Sequence, residues 1–183
     1  MVYELKNTKT GEPAIYKTTL EITETGNEVT FNFTCENSSL FCPYEGFYNA
    51  IHSLGDMVEI LIGSDKDKKV YYEIELSPLN DAFISKIENL GLNDKNLPIL
   101  ELTYVDKNFL KTSATITENG YNCKITFNKK DLSTGDGEFY FNAYRIETDD
   151  GYINKHLFAL FPTMTGYFHN TNSFKLLKDY VTK

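Results

Sequence analysis

Apolar and polar side chains alternate with a period of two through most of this chain, and turn residues interrupt the alternation at short intervals. That combination predicts β-strands. Leu20 and Ile22 precede Gly26-Asn27, and Val29, Phe31 and Phe33 follow it. With that dipeptide as a two-residue hairpin loop, Ile22 stands opposite Phe31 and Leu20 opposite Phe33. Asn119-Gly120 carries the same signal, which puts Ile116 opposite Cys123 and Ala114 opposite Ile125. In both hairpins the apolar residues share one face, so turn chemistry and burial agree on the register.

Further strands are predicted at 57–62, 70–76, 99–105 and 139–146. Val58, Ile60 and Ile62 share one face of the first, and Val70, Tyr72, Ile74 and Leu76 one face of the second. The opposite faces carry Glu59, and Tyr71, Glu73 and Glu75. The stretch 81–90 is ambiguous, because Phe83, Ile87 and Leu90 also repeat at helical spacing. A terminal helical turn is a second option at 173–181. About ten short strands with little helix predict an all-β, antiparallel sandwich or jelly roll.

Composition narrows the function classes. The 183 residues are 41% apolar and 24% charged, which fits one globular domain over 1–183. Acidic side chains number 26 against 18 basic ones, for a net charge of −8. Nucleic-acid backbone binding rests on clustered Lys and Arg, so that partner is excluded. No window approaches a membrane span, and residues 1–30 hold no apolar signal-peptide core, so no membrane partner is expected, and a cytoplasmic location is expected unless a leader has been removed, in which case the protein is exported. Cys35, Cys42 and Cys123 are read as reduced thiols, with Cys123 a small core residue. There is no Trp, against 13 Tyr and 13 Phe, and the sole arginine is Arg145.

Catalytic signatures are sparse. His52, His156 and His169 form no H-E-x-x-H and no close pair, and nucleophile-elbow, P-loop and dinucleotide motifs are missing. Asp65 and Asp67 alternate as in calcium loops, but Leu76 stands where a twelfth-position glutamate belongs, and three lysines oppose a dication. No cofactor is therefore expected, with calcium at that turn as the weaker alternative. Glu59 and Glu73 could act as a glycosidase acid–base pair, or simply solubilise a solvent-facing strand surface. Arg145 falls on the apolar side of its strand, with Phe139, Phe141 and Ala143. A guanidinium there needs a carboxylate or several carbonyls, unless it clamps a ligand.

The stretch 55–78, GDMVEILIGSDKDKKVYYEIELSP, resembles the family 9 carbohydrate-binding modules and their broader relatives. In that family a D-x-V-E-I-F strand leads through a short acidic turn to a strand like Y-Y-E-L-E-V-N-P. A later strand reads N-F-Y-R, and a closing motif reads F-H-x-P-x-x-F-G. Asp56, Val58, Glu59 and Ile60 match the first, and Tyr72, Glu73 and Pro78 the second. Asn142, Tyr144 and Arg145 match the third, and Phe168, His169 and Phe174 the last. The resemblance covers about 44–180.

It implies a β-sandwich that binds sugar without catalysis, often beside a glycoside hydrolase, so carbohydrate and such an enzyme are the implied partners. It also implies that 81–90 continues as strand and loop. The family holds its sugar between two tryptophans; here Tyr44, Tyr48, Tyr71 and Tyr144 are the candidate stacking platforms. The implied ligand-binding set is Glu59, Tyr71, Glu73, Asn142, Tyr144, Arg145 and His169, with no catalytic residue and no metal ligand. Two other readings stay open: a structural or protein-interaction sandwich that has lost the sugar site, and a hydrolase using Glu59 and Glu73.

Overall fold

The computed structural model describes residues 1–37, 39–43, 55–94, 98–135, 137–149 and 154–183. Alternation resolves there into strands β1 (Val2–Glu4), β2 (Lys6–Asn7), β3 (Thr18–Thr25), β4 (Glu28–Glu36), β5 (Met57–Gly63), β6 (Val70–Leu76) and β7 (Ala82–Leu92). They are followed by β8 (Pro98–Tyr104), β9 (Lys111–Thr117), β10 (Gly120–Asn128), β11 (Tyr140–Asp149), β12 (Asn154–Ala159) and β13 (Lys175–Leu176). One sheet has the order β1-β3-β4-β10-β9. The other runs β2-β12-β11-β5-β6-β7-β8, with β13 also beside β11. Ten of these strands have six residues or more, the number expected from alternation, and the short ones serve the edges.

The β3–β4 hairpin has the expected register, Ile22 opposite Phe31 and Leu20 opposite Phe33. The β9–β10 hairpin differs. Its loop is Glu118-Asn119, so Ile116 pairs with Tyr121 and Ala114 with Cys123. Gly120 is the cause. It lies inside the sheet opposite Glu36 of β4, at φ 148°, where an added Cβ would stand 1.9 Å from the Cys35 carbonyl oxygen. The glycine serves that close approach rather than the turn. Each partner moves by two residues, so the faces are unchanged.

Residues 81–90 are strand, within β7, and not helix. Ile84 faces the inter-sheet core, while Phe83 and Ile87 pack on the other side. Burial on both faces is what scattered the apolar residues at helical spacing. The end of the chain forms short 3-10 turns at Thr171–Ser173 and Leu177–Asp179 around β13.

Between the sheets, Leu20, Ile22, Phe31, Phe33 and Ile125 meet Val58, Ile60, Ile62, Ile74 and Phe141. The outer face of the larger sheet is covered too, with Leu61, Tyr71, Ile87, Tyr144 and Phe174 in one cluster. β5 is consequently buried at every position. The solvent-facing acidic surface expected for Glu59 and Glu73 is thereby corrected: each is 2% exposed, and Glu75 is fully buried. The covering layer is the chain beyond β12, which a single strand's alternation does not reveal.

Arg145 points inward, as alternation requires, and is fully buried. Its Nε donates to Tyr121 Oη at 3.1 Å, Nη1 to Thr18 Oγ1 at 2.7 Å, and Nη2 to the Glu36 carbonyl at 2.6 Å. Nη2 also pairs with the Glu147 carboxylate. The guanidinium lies 5.1 Å from the Tyr121 ring centroid. Burial pushes the Glu147 carboxyl up to about 8 despite the pull of Arg145, while against burial Tyr121, Cys35 and Glu147 hold the guanidinium charged.

Candidate functional site

Register places the acidic residues side by side on the outer face of the larger sheet. One row across the strands reads Tyr144, Glu59, Glu75, Phe83, and the next reads Asn142, Leu61, Glu73, Ser85. Carboxylate oxygens of Glu59, Glu73 and Glu75 all lie within 4.8 Å of one another. Ser85 Oγ donates to Glu73 Oε2 at 3.0 Å. Among the described residues, Glu59 Oε1 is buried with no hydrogen-bond partner. Burial first, and then the charges of Glu73 and Glu75, hold the Glu59 carboxyl well above the usual carboxylate range.

Over this floor runs the segment after β12. Asn142 clamps its start, donating through Nδ2 to the Phe161 carbonyl (2.8 Å) and Ser173 Oγ (2.9 Å), and accepting from Phe161 N–H (3.1 Å). Tyr144 Oη donates to the Phe168 carbonyl at 2.7 Å. Its ring stacks on Phe168 with centroids 4.2 Å apart. Tyr71 Oη and His169 Nδ1 share a hydrogen bond of 2.9 Å, and His169 Nε2 lies 3.6 Å from Glu73 Oε1.

The segment stops short of sealing the sheet and leaves a cleft of about 270 Å³. Glu59 and Glu73 line its floor, Ile146 and Leu157 its apolar end, and Gly166, Tyr167, Phe168 and His169 its wall. A polar floor beneath an apolar, aromatic wall suits a small ligand with hydroxyls on its edge and C–H groups on its face. The volume sits near the lower end of the roughly 300–1,000 Å³ common for small-molecule sites.

Of the seven residues singled out from sequence, the structure brings Glu59, Glu73 and His169 to this cleft. Tyr71 and Tyr144 lie beneath the covering segment, at most 1% exposed, with their hydroxyls engaged by it. Asn142 is fully buried as the clamp, and Arg145 is on the opposite face of the sheet, between the sheets. Tyr44, Tyr48 and His52 fall outside the described residues. Sequence reasoning missed Tyr167, Ile146 and Leu157 as lining groups, and Glu75 as the third carboxylate. The Phe168-His169 motif match was the one signal pointing to that wall.

Among motif residues, Asp56 has a structural place. Its carboxylate accepts from Phe41 N–H and Thr148 N–H, both at 2.8 Å, and from Asn37 Nδ2 at 3.0 Å. Asp65, of the calcium-like run, accepts from the backbone N–H of Asp67, Lys69 and Val70, which closes a β-turn connection.

No protein-family profile and no curated protein matches the sequence. Solved structures do match. A protein from Bacteroides uniformis ATCC 8492, provisionally assigned to carbohydrate binding, superposes with a TM-score of 0.71 at 14% identity, covering 95% of this chain and 84% of its own. A family 9 carbohydrate-binding module from Caldicellulosiruptor kristjanssonii in complex with cellotriose matches with a TM-score of 0.58 at 10% identity, over 87% of this chain and 72% of its own. A family 9 module from the same organism in complex with glucose gives 0.58 at 12% identity, over 94% and 82%. At such identities the likeness is one of fold, and the fold is family 9-like.

Proposed function

We propose that a chain with this family 9-like sandwich binds carbohydrate non-catalytically, in the cleft between the outer sheet face and residues 166–169. The observation that carries the reading is the buried, unpartnered Glu59 Oε1 at the floor of an aromatic-walled cleft. A buried carboxylate oxygen without a donor is costly in the free protein, and a sugar hydroxyl is the donor that relieves it. The aromatic wall receives the sugar's C–H face. The two sugar complexes among the structural matches support the same class of ligand. A cleft near the small end of the range favours one or two sugar rings over a long chain.

Two observations weigh against the other readings. Glu59 and Glu73 stand on one floor, with oxygens under 4.8 Å apart. A glycosidase pair instead stands on opposite sides of the scissile bond. A sandwich that had lost its sugar site would have that site filled, but Phe161 packs against Phe141 and Tyr180 instead.

Tyr167 offers the test at the wall, since it is 38% exposed. Tyr167→Ala is expected to weaken binding of glucose or cello-oligosaccharides by up to about tenfold, the worth of one stacking contact. The thermal midpoint is expected to stay within about 2 °C, as for a surface substitution. Calorimetric titration and thermal melts measure both. Unchanged affinity would remove Tyr167 from the site.

A further inference from the structure

We infer that the floor of this cleft is a binding site for a hard divalent cation, with Glu59, Glu73 and Glu75 as its protein ligands. Three carboxylates gathered on adjacent strands do not by themselves make a site, because acidic groups cluster for many reasons. The second observation is Glu59, 2% exposed and lining the cleft, with Oε1 buried and without a hydrogen-bond partner among the described residues. A buried carboxyl oxygen left without a partner, with two further carboxylates beside it, points to a ligand that belongs there.

The spacing fits. Three oxygens within 4.8 Å of one another have a common centre no more than about 2.8 Å from each, close to the ~2.3–2.6 Å of calcium–oxygen bonds. Side-chain adjustments of a few tenths of an ångström close the difference. Magnesium asks for about 2.0–2.1 Å and a stricter octahedron, so calcium is the better match. The ligand set is all oxygen, which disfavours softer metals such as zinc and copper. Calcium takes about 6–8 oxygens, so three carboxylates leave positions to fill, and Glu59 and Glu73, which line the cleft, put them within its reach. Water fills them in the free protein. If the cleft takes a sugar, vicinal hydroxyls are suited to replace that water, and this last step alone rests on the carbohydrate reading.

The test uses the metal alone. The full chain, freed of metal by chelator, is titrated with terbium, exciting tyrosine and reading the lanthanide emission, and calcium is then used to displace it. Calorimetry with calcium chloride gives the stoichiometry. One calcium site is expected, and Glu59→Gln is expected to weaken it by more than the roughly 10–100-fold that follows loss of a mere supporting group. Glu73→Gln is expected to act alike, and provides the same reading should Glu59→Gln fold poorly. Asp65→Asn, in the acidic turn, is expected to leave the site intact. Absence of saturable calcium binding overturns the inference. So does binding that survives Glu59→Gln and Glu73→Gln, or that is lost in Asp65→Asn. Sugar binding without calcium binding overturns the cation site and leaves the carbohydrate reading standing; calcium binding without sugar binding does the reverse.

Discussion

Arg145→Ala is expected to lower the unfolding free energy by about 3–5 kcal/mol, the usual penalty for orphaning one member of a buried ion pair. The substitution leaves the Glu147 carboxyl fully buried with neither of its oxygens bonded to the guanidinium, and among the described residues Glu147 Oε1 already lacks a hydrogen-bond partner. It also strips a donor from Tyr121, Thr18 and the Glu36 carbonyl at once. These three groups belong to the five-stranded sheet and Arg145 to the larger one, so the loss falls on the joint between them. For a chain of this size the thermal midpoint should fall by roughly 6–20 °C. Urea or thermal melts measure it. The double change Arg145→Met with Glu147→Leu is expected to recover most of the loss, because replacing both partners by apolar groups removes the uncompensated charge. A loss well under 1 kcal/mol for Arg145→Ala would mean that the guanidinium is solvated and not bound in the core.

Glu59→Gln is expected to move affinity and stability in opposite directions. A sugar hydroxyl loses its carboxyl partner, a hydrogen bond worth about 0.5–1.5 kcal/mol, so binding weakens by roughly 2–10-fold. In cation-free buffer the folded state loses nothing of comparable size. Gln is isosteric, and it removes a desolvated carboxyl whose neighbours Glu73 and Glu75 disfavour its charge. Equal or higher stability is therefore expected, the pattern of a binding group that is strained in the free protein. Calorimetric titration beside urea melts separates the two effects. Lower stability with unchanged affinity would make Glu59 a structural residue.

The elements that sequence made legible are those whose neighbours alternate in step with them. The β3–β4 hairpin was readable because Gly26-Asn27 and the apolar pairs Leu20–Phe33 and Ile22–Phe31 all demand one register. The β9–β10 loop was misplaced by one residue on each strand, since Gly120 answers to a third strand through the Cys35 carbonyl. Arg145 was placed correctly on the apolar face, because burial of its strand follows from period two alone. Its ligands were not foreseeable: Thr18, Glu36 and Tyr121 are brought to it only by sheet packing. The same limit governed the site. Glu59 and Glu73 were recognised as a pair, but their burial depends on a covering segment with no regular pattern of its own. Tyr71 and Tyr144 sit on the expected face, and that segment turns them from platforms into anchors, engaged by His169 and Phe168. Tyr167, in an irregular stretch, offered no periodicity to read.

The central claim is that the cleft beneath residues 166–169 takes a sugar. A two-dimensional NMR titration of the chain with glucose and cellobiose tests it most directly, because it reports both binding and location. Saturable shifts are expected at the backbone amides of Glu59, Glu73 and residues 166–169, with the distant β3–β4 hairpin unmoved. Spectra unchanged at millimolar sugar, or shifts gathered on another surface, would contradict it.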